Sequence, residues 1–158
     1  MTNPASLADS VPGRIGLEDG RRIRGFVDAR YGAVMDAFVA NFVERRDLGA
    51  GCAVYVDGAP LLSPRSLEDL LGVQSAGPQL SGLPDDGTRW GTGFQLASPP
   101  SQPMLGPTSF GHAGAGGQLG FGDVDHHVGF AYLSNQMGGY GDARARELTM
   151  AVRAAIGA

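Results

Sequence analysis

The two strongest helical stripes of this chain stand near its ends, and the β-prone sequence lies between them. From Asp28 onward, Tyr31, Met35, Phe38 and Phe42 recur at three- and four-residue spacing, widened by Val34, Val39 and Val43, which predicts an amphipathic helix ending near Arg46. Arg45 and Arg46 in its last turn complement the negative end of the helix dipole, and Leu48-Gly49-Ala50-Gly51 breaks it. At the other end Asp142 is placed to cap a helix whose stripe is Leu148, Val152, Ala155 and Ile156, with Gly157 after it. Between them, Cys52-Ala53-Val54-Tyr55-Val56 is β-prone and runs into the turn pair Asp57-Gly58. Ser63-Pro64 opens a short helix with Leu67, Leu70 and Leu71 on one face, ending by Gly72. Trp90, Thr92, Phe94 and Leu96 alternate as one face of a strand, and Gly117–Phe121 and Val128–Leu133 flank Asp123-Val124-Asp125-His126 as an antiparallel hairpin. The order helix, strand, helix, strand, hairpin, helix is solved most economically by an α+β fold: an antiparallel sheet with the N- and C-terminal helices on one face.

With 158 residues there is room for one domain, assigned here to residues 26–158. Residues 1–25 mix Pro, Gly, Asp and Arg without a helical or strand period and read as a flexible leader; its Arg21-Arg22-x-Arg24 cluster, balanced by Glu18 and Asp19, reads as solvated. Residues 74–87 read as a surface loop and 97–107 as a proline-rich connection.

All twelve basic residues are arginine, so several chemistries are excluded at once. A phosphate-binding P-loop, a Schiff-base enzyme and a Ser-x-x-Lys hydrolase each need a lysine. The formal charge of −4 leaves no basic footprint for nucleic acid or an anionic membrane. A single cysteine, Cys52, rules out an internal disulfide and a zinc site of several thiolates, and a cytoplasmic location is expected. No stretch approaches the roughly 20 apolar residues of a membrane span, and Met1-Thr2-Asn3-Pro4 lacks the basic-then-apolar order of a signal peptide.

The segment Ser109-Phe110-Gly111-His112-Ala113-Gly114-Ala115-Gly116-Gly117 resembles the serine β-lactamase-related family, specifically class C β-lactamase-like esterases and penicillin-binding-protein relatives. Arg89-Trp90-Gly91-Thr92-Gly93-Phe94 and Pro103-Met104-Leu105-Gly106 look like that family's approach to its last catalytic motif. Val128–Tyr132 with Asn135-Gln136-Met137-Gly138-Gly139 looks like the strand that follows, and the first helix with Ala53–Gly58 resembles the start of the fold. The resemblance covers nearly all of residues 25–158. It implies hydrolysis of esters or amides through an acyl-enzyme, without a metal or other cofactor, and a small ester or amide as ligand. It places His112 at the Lys-Thr-Gly-type motif, with Ala115 offering a backbone N–H to the oxyanion and Ala113, Gly114 and Gly116 lining the substrate.

The family's other two motifs have no counterpart in this chain. Ser-x-x-Lys needs a lysine, and Tyr31, Tyr55, Tyr132 and Tyr140 are followed two places on by Ala, Asp, Ser and Asp, so Tyr-x-Asn fails. The resemblance jumps from about Gly58 straight to Leu61-Leu62-Ser63-Pro64, late in the family, so an internal deletion of the helical domain is the expectation. The expected product is a remnant of the β-lactamase/transpeptidase-like fold, inactive or very weak, with a non-catalytic binding or homodimeric assembly module as the alternative.

Other candidates read as structural. The glycines after residue 112 miss Gly-x-Gly-x-x-Gly because Leu119 stands at the third glycine. Ser109 lacks the first glycine of a nucleophile elbow, although Ser109 and Ser134 are the first to map should an acyl adduct form. Asp123, Asp125, His126 and His127 suit a solvated turn better than a metal, and Cys52 suits a strand interior.

Overall fold

The computed structural model describes residues 10–58, 62–78, 84–99, 104–139 and 141–158. Its centre is a seven-stranded antiparallel sheet in the order β3-β9-β8-β7-β6-β5-β4, built from β3 (Ala50–Val56), β4 (Ser75–Ala76), β5 (Arg89–Trp90), β6 (Gln95–Leu96), β7 (Ser109–Gly114), β8 (Gln118–Asp123) and β9 (Val128–Ser134). Helices α1 (Gly32–Val43), preceded by a 3-10 turn at Ala29–Tyr31, and α3 (Arg144–Ile156) pack on one another and on one face of the sheet, while α2 (Pro64–Leu71) sits beside the short strands. The α+β expectation, with terminal helices sharing one face, is met.

The core joins Leu119, Phe121, Val128, Phe130 and Tyr132 of the β8–β9 hairpin to Val34 of α1 and Ala145, Leu148 and Val152 of α3. Phe121 and Phe130 are cross-strand partners and their rings stack at 5.0 Å. The opposite face carries small residues, among them Gly51, Ala53, Gly120 and Ala131, with Tyr55 and Leu133 exposed above them.

Four expectations are corrected. Residues before 25 are not without structure: from Ser10 they form a two-stranded ribbon, β1 (Ser10–Gly16) paired with β2 (Arg22–Asp28). Its turn closes through Gly20 N–H donating to Leu17 O (3.0 Å), with Gly20 at φ +84°, a conformation that glycine adopts at little cost. Residues 1–9 lie outside the described residues. Arg21 is also not simply solvated; it pairs with Asp19 (2.5 Å), donates to the carbonyl of Phe42 (3.2 Å) and to that of Asp47, and so ties the ribbon to the exit of α1.

The first helix stops at Val43, short of Arg46, which lies at φ +59°; Arg45 instead reaches back to Asn41 Oδ1 (3.2 Å). The stretch from Trp90 to Leu96 is not one strand but a tight hairpin, with Trp90 paired to Gln95. Gly93 takes φ +82° at its tip, and Gly91 stands where a Cβ would come within 2.1 Å of Leu70 O. The alternation was real in composition, but the two glycines let the chain fold back. Asp142 does accept from Arg144 N–H (2.9 Å), one position outside the formal cap at Ala143.

Candidate functional site

Strand β7 carries the motif, and its alternation sorts the residues. Ser109, Gly111 and Ala113 face the helices; Phe110, His112 and Gly114 face the open side. His112 is exposed and its ring lies 5.4 Å from that of Trp90, which hairpin β5–β6 presents beside it. Phe110 meets Phe94 edge-on at 5.5 Å and covers Gly122. Gly120, opposite His112 on β8, has no side chain to fill the space beside the imidazole. The outcome is a shelf of backbone bordered by Trp90, His112, Phe110 and Phe94. The sequence places Trp90 on a strand in the approach to the motif but not against His112; that contact depends on the glycine turn that the alternation conceals.

Ala115, Gly116 and Gly117 form the turn from β7 to β8, with both glycines at φ +93°. A buried polar cluster holds this turn from behind. The Arg144 guanidinium, 3% exposed, pairs with the fully buried Asp47 and with Asp142 (2.9 Å). It also donates to the carbonyls of Gly116 (2.7 Å) and Gln136 (3.0 Å) and to Ser134 Oγ (3.1 Å). Tyr132 donates its hydroxyl to Asp47. Burial, and then that bond to a carboxylate, pushes the Tyr132 phenol well above its ordinary range, so it stays a donor. Burial alone would raise the Asp142 carboxyl, yet the hydrogen bonds from Arg144 outweigh it and hold it below the usual carboxylate range. Nothing local in the sequence signals this cluster, because Asp47 and Arg144 are distant in the chain and meet only when α3 docks.

The two serines first in line for an adduct have other roles. Ser109 Oγ accepts from the N–H groups of Leu105 (3.1 Å) and Gly106 (2.9 Å) and donates to Asp123 Oδ2 (2.5 Å), on the face away from His112. Asp123 Oδ1 accepts from the backbone N–H of His126 (3.0 Å) and lies 2.7 Å from its Nδ1. Three residues of hydrolytic type thus stand together in the wrong order, since a base must lie between the nucleophile and the carboxylate, and here the carboxylate lies between. Ser134 Oγ donates to Gln136 O (2.9 Å) and accepts from Arg144. Asp123 and His126, weighed as metal ligands, instead close the β8–β9 turn, in which His127 adopts φ +52°.

Burial pushes the Cys52 thiol up to about 11, so thiolate is scarce at neutral pH. Titration with a chromogenic disulfide reagent should show slow labelling of the folded chain and immediate labelling in denaturant; fast labelling of the folded chain would contradict the packed position of Cys52.

The sequence profile of the family described as Beta-lactamase matches residues 31–155. No curated protein matches the chain. Among solved structures, the chain is 29% identical to EstA from Arthrobacter nitroguajacolicus Rue61a, covering 63% of this chain and 26% of that one, with a TM-score of 0.54. It is 30% identical to a penicillin-binding protein homolog from Caulobacter crescentus, over 64% and 27% of the two chains, at a TM-score of 0.53. It is 27% identical to a family VIII carboxylesterase, over 63% and 27%, at 0.52. The chain therefore spans about a quarter of the length of each of these structures.

Proposed function

Because the chain belongs to the β-lactamase family, we propose that it is a domain of serine-hydrolase type that binds a small ester or amide at His112 and hydrolyses it weakly or not at all. The observation that carries this reading is the shelf on the open face of β7: an exposed imidazole beside Trp90, above glycine backbone, next to a turn that Arg144 holds in place. An imidazole there can hydrogen-bond a substrate carbonyl or carboxylate, and the Ala115 N–H is assigned to the oxyanion, with Ala113, Gly114 and Gly116 beside the ligand. Two of its solved relatives, a carboxylesterase and a penicillin-binding protein homolog, fit an ester or amide ligand.

Catalysis in this family proceeds through an acyl-enzyme, which needs an activated hydroxyl. This chain has no lysine to complete Ser-x-x-Lys, and Ser109 and Ser134 are committed to backbone and side-chain partners. Binding and oxyanion donors alone leave a small rate enhancement. An internal deletion after about Gly58, removing the helical domain, accounts for the missing motifs and fits a chain that spans a quarter of its solved relatives.

The test is hydrolysis of a p-nitrophenyl short-chain ester and a chromogenic cephalosporin by purified, folded protein, with intact-mass detection of an acyl adduct. The expected result is no adduct and a rate barely above background that falls when His112 is replaced by Ala. Turnover with a covalent adduct would overturn the reading, as would a His112→Ala variant with unchanged hydrolysis and ligand binding.

A second reading, a non-catalytic assembly module, is favoured by Tyr55 and Leu133, 71% and 62% exposed on the open face of the sheet. Assembly requires mass to rise with concentration in light scattering, whereas only the first reading requires His112→Ala to weaken ester binding.

A further inference from the structure

β3 ends the sheet, and its one strand partner among the described residues is β9. Which of its backbone groups are spent on β9 can be read from the ends of the pairing. Asn135 N–H donates to Gly49 O (2.8 Å) and Asp57 N–H donates to His127 O (3.0 Å), in line with the register that pairs Ala50 with Ser134 and Val56 with Val128. In an antiparallel ladder hydrogen-bonded pairs alternate, so the odd-numbered residues 49 to 57 bond to β9. The N–H and C=O groups of Ala50, Cys52, Val54 and Val56 therefore point away from the sheet, along its free edge.

This edge carries none of the usual devices against pairing. Ala50-Gly51-Cys52-Ala53-Val54-Tyr55-Val56 contains no charge and no proline, and its seven residues pair with β9 one for one, without a bulge. The segment also matches itself when reversed. Centred on Ala53, an antiparallel copy places Cys52 opposite Val54, Gly51 opposite Tyr55 and Ala50 opposite Val56. Because that centre falls on one residue, each side chain meets a neighbour from its own face of the sheet: Gly51, Ala53 and Tyr55 on the open face, the others on the core face. The large, exposed Tyr55 comes to lie across Gly51 of the second copy, where no side chain competes for the space. The outward groups of Cys52 and Val54, and of Ala50 and Val56, fall opposite one another as hydrogen-bonded pairs. Asp57 lies opposite Gly49 of the second copy, so no like charges face each other across the seam.

We infer that the free edge of β3 is a dimer interface, pairing antiparallel with β3 of a second copy about a two-fold axis through Ala53. The inference is independent of any role for His112, and it places the contact on the sheet edge rather than on the open face. In this arrangement Ala53 meets its own copy as a non-hydrogen-bonded pair, with Cα atoms about 4.5 Å apart, within the span of a disulfide.

The register supplies the test. In a Cys52→Ala background, Ala53→Cys should cross-link to a covalent dimer on mild oxidation. Tyr55→Cys in the same background should not, because its two copies stand about 14 Å apart along the strands. Ala53→Glu, an exposed position, should leave the circular dichroism unchanged and weaken association by more than about tenfold in concentration-dependent light scattering, since it sets two like charges on the two-fold axis. A parent chain that is monomeric at every concentration overturns the proposal, whether the edge is free or covered by another segment of the same chain. A parent dimer whose Ala53→Cys variant does not cross-link, or in which Ala53→Glu still associates as the parent does, places the interface on another surface and overturns it as well.

Discussion

Replacing Arg144 by methionine should lower the unfolding free energy by about 3–5 kcal/mol, the cost of leaving a buried partner charge uncompensated. The stranded group is Asp47, whose carboxylate is fully buried and which then keeps the Tyr132 hydroxyl but loses its paired guanidinium. The same change removes the guanidinium donors to Gly116 O and Gln136 O and leaves Gly116 O the Gly138 N–H (3.0 Å), so the turn that carries Ala115 loses part of its rear support. Against a typical stability of about 5–15 kcal/mol this leaves a domain close to unfolding at ambient temperature. Urea titration followed by tryptophan fluorescence would measure it. If the loss comes from the orphaned charge rather than from the lost volume, adding Asp47→Leu to Arg144→Met should recover part of it. A double variant as unstable as the sum of its single changes would show that packing, not charge, is the cause. The pH dependence has a determined sign: Asp142 is held below the ordinary carboxylate range, so its contribution is complete at neutral pH. It fades as pH falls below the unfolded carboxylate range and through the lowered folded value. Arg144→Met should flatten the acid limb of the stability profile.

That cluster also shows where sequence reading ends. The stripe of α1 and the β8–β9 hairpin were legible because the interactions that fix them, helical spacing and a turn between two apolar runs, are local. The Asp47–Arg144 pair was not, because one partner follows α1 and the other opens α3. Trp90 to Leu96 was misread for a different reason: its apolar alternation is genuine, but Gly91 and Gly93 permit the reversal that places Trp90 against His112. The β1–β2 ribbon was missed because its order comes from cross-strand pairing and from Arg21 reaching the carbonyls at the end of α1. For the candidate site, the resemblance names residues 112–116 and the Trp90 stretch, while the packing of Trp90 on His112 comes from the β5–β6 hairpin.

Two glycines near His112 should respond oppositely to the same substitution. Gly111 and Gly120 lie on adjacent strands and look alike in sequence, each followed by an aromatic residue or the motif histidine. A Cβ at Gly111 would come within 2.1 Å of Gly120 O and 2.6 Å of the Phe121 Cα, which are backbone atoms that cannot rotate away. Gly111→Ala must therefore separate β7 from β8 where Phe121 joins the core, and the expected loss is about 3 kcal/mol, at the upper end for overpacking. The displacement also moves His112, so ligand binding at the shelf should weaken beyond the loss in folded fraction. At Gly120 the nearest atom to an added Cβ is Phe130 O at 4.0 Å, on the open face. Gly120→Ala should leave stability unchanged or raise it by about 0.4–1 kcal/mol, because alanine restricts the unfolded chain more than glycine does. Its methyl would stand on the shelf opposite His112, so a ligand seated there should bind less well to a protein that is no less stable. Thermal denaturation of the two variants beside ester binding gives the comparison. Equal destabilisation by both would mean that the β7–β8 spacing is set by something other than the bare backbone at Gly111, and the shelf would lose its floor as an explanation for binding.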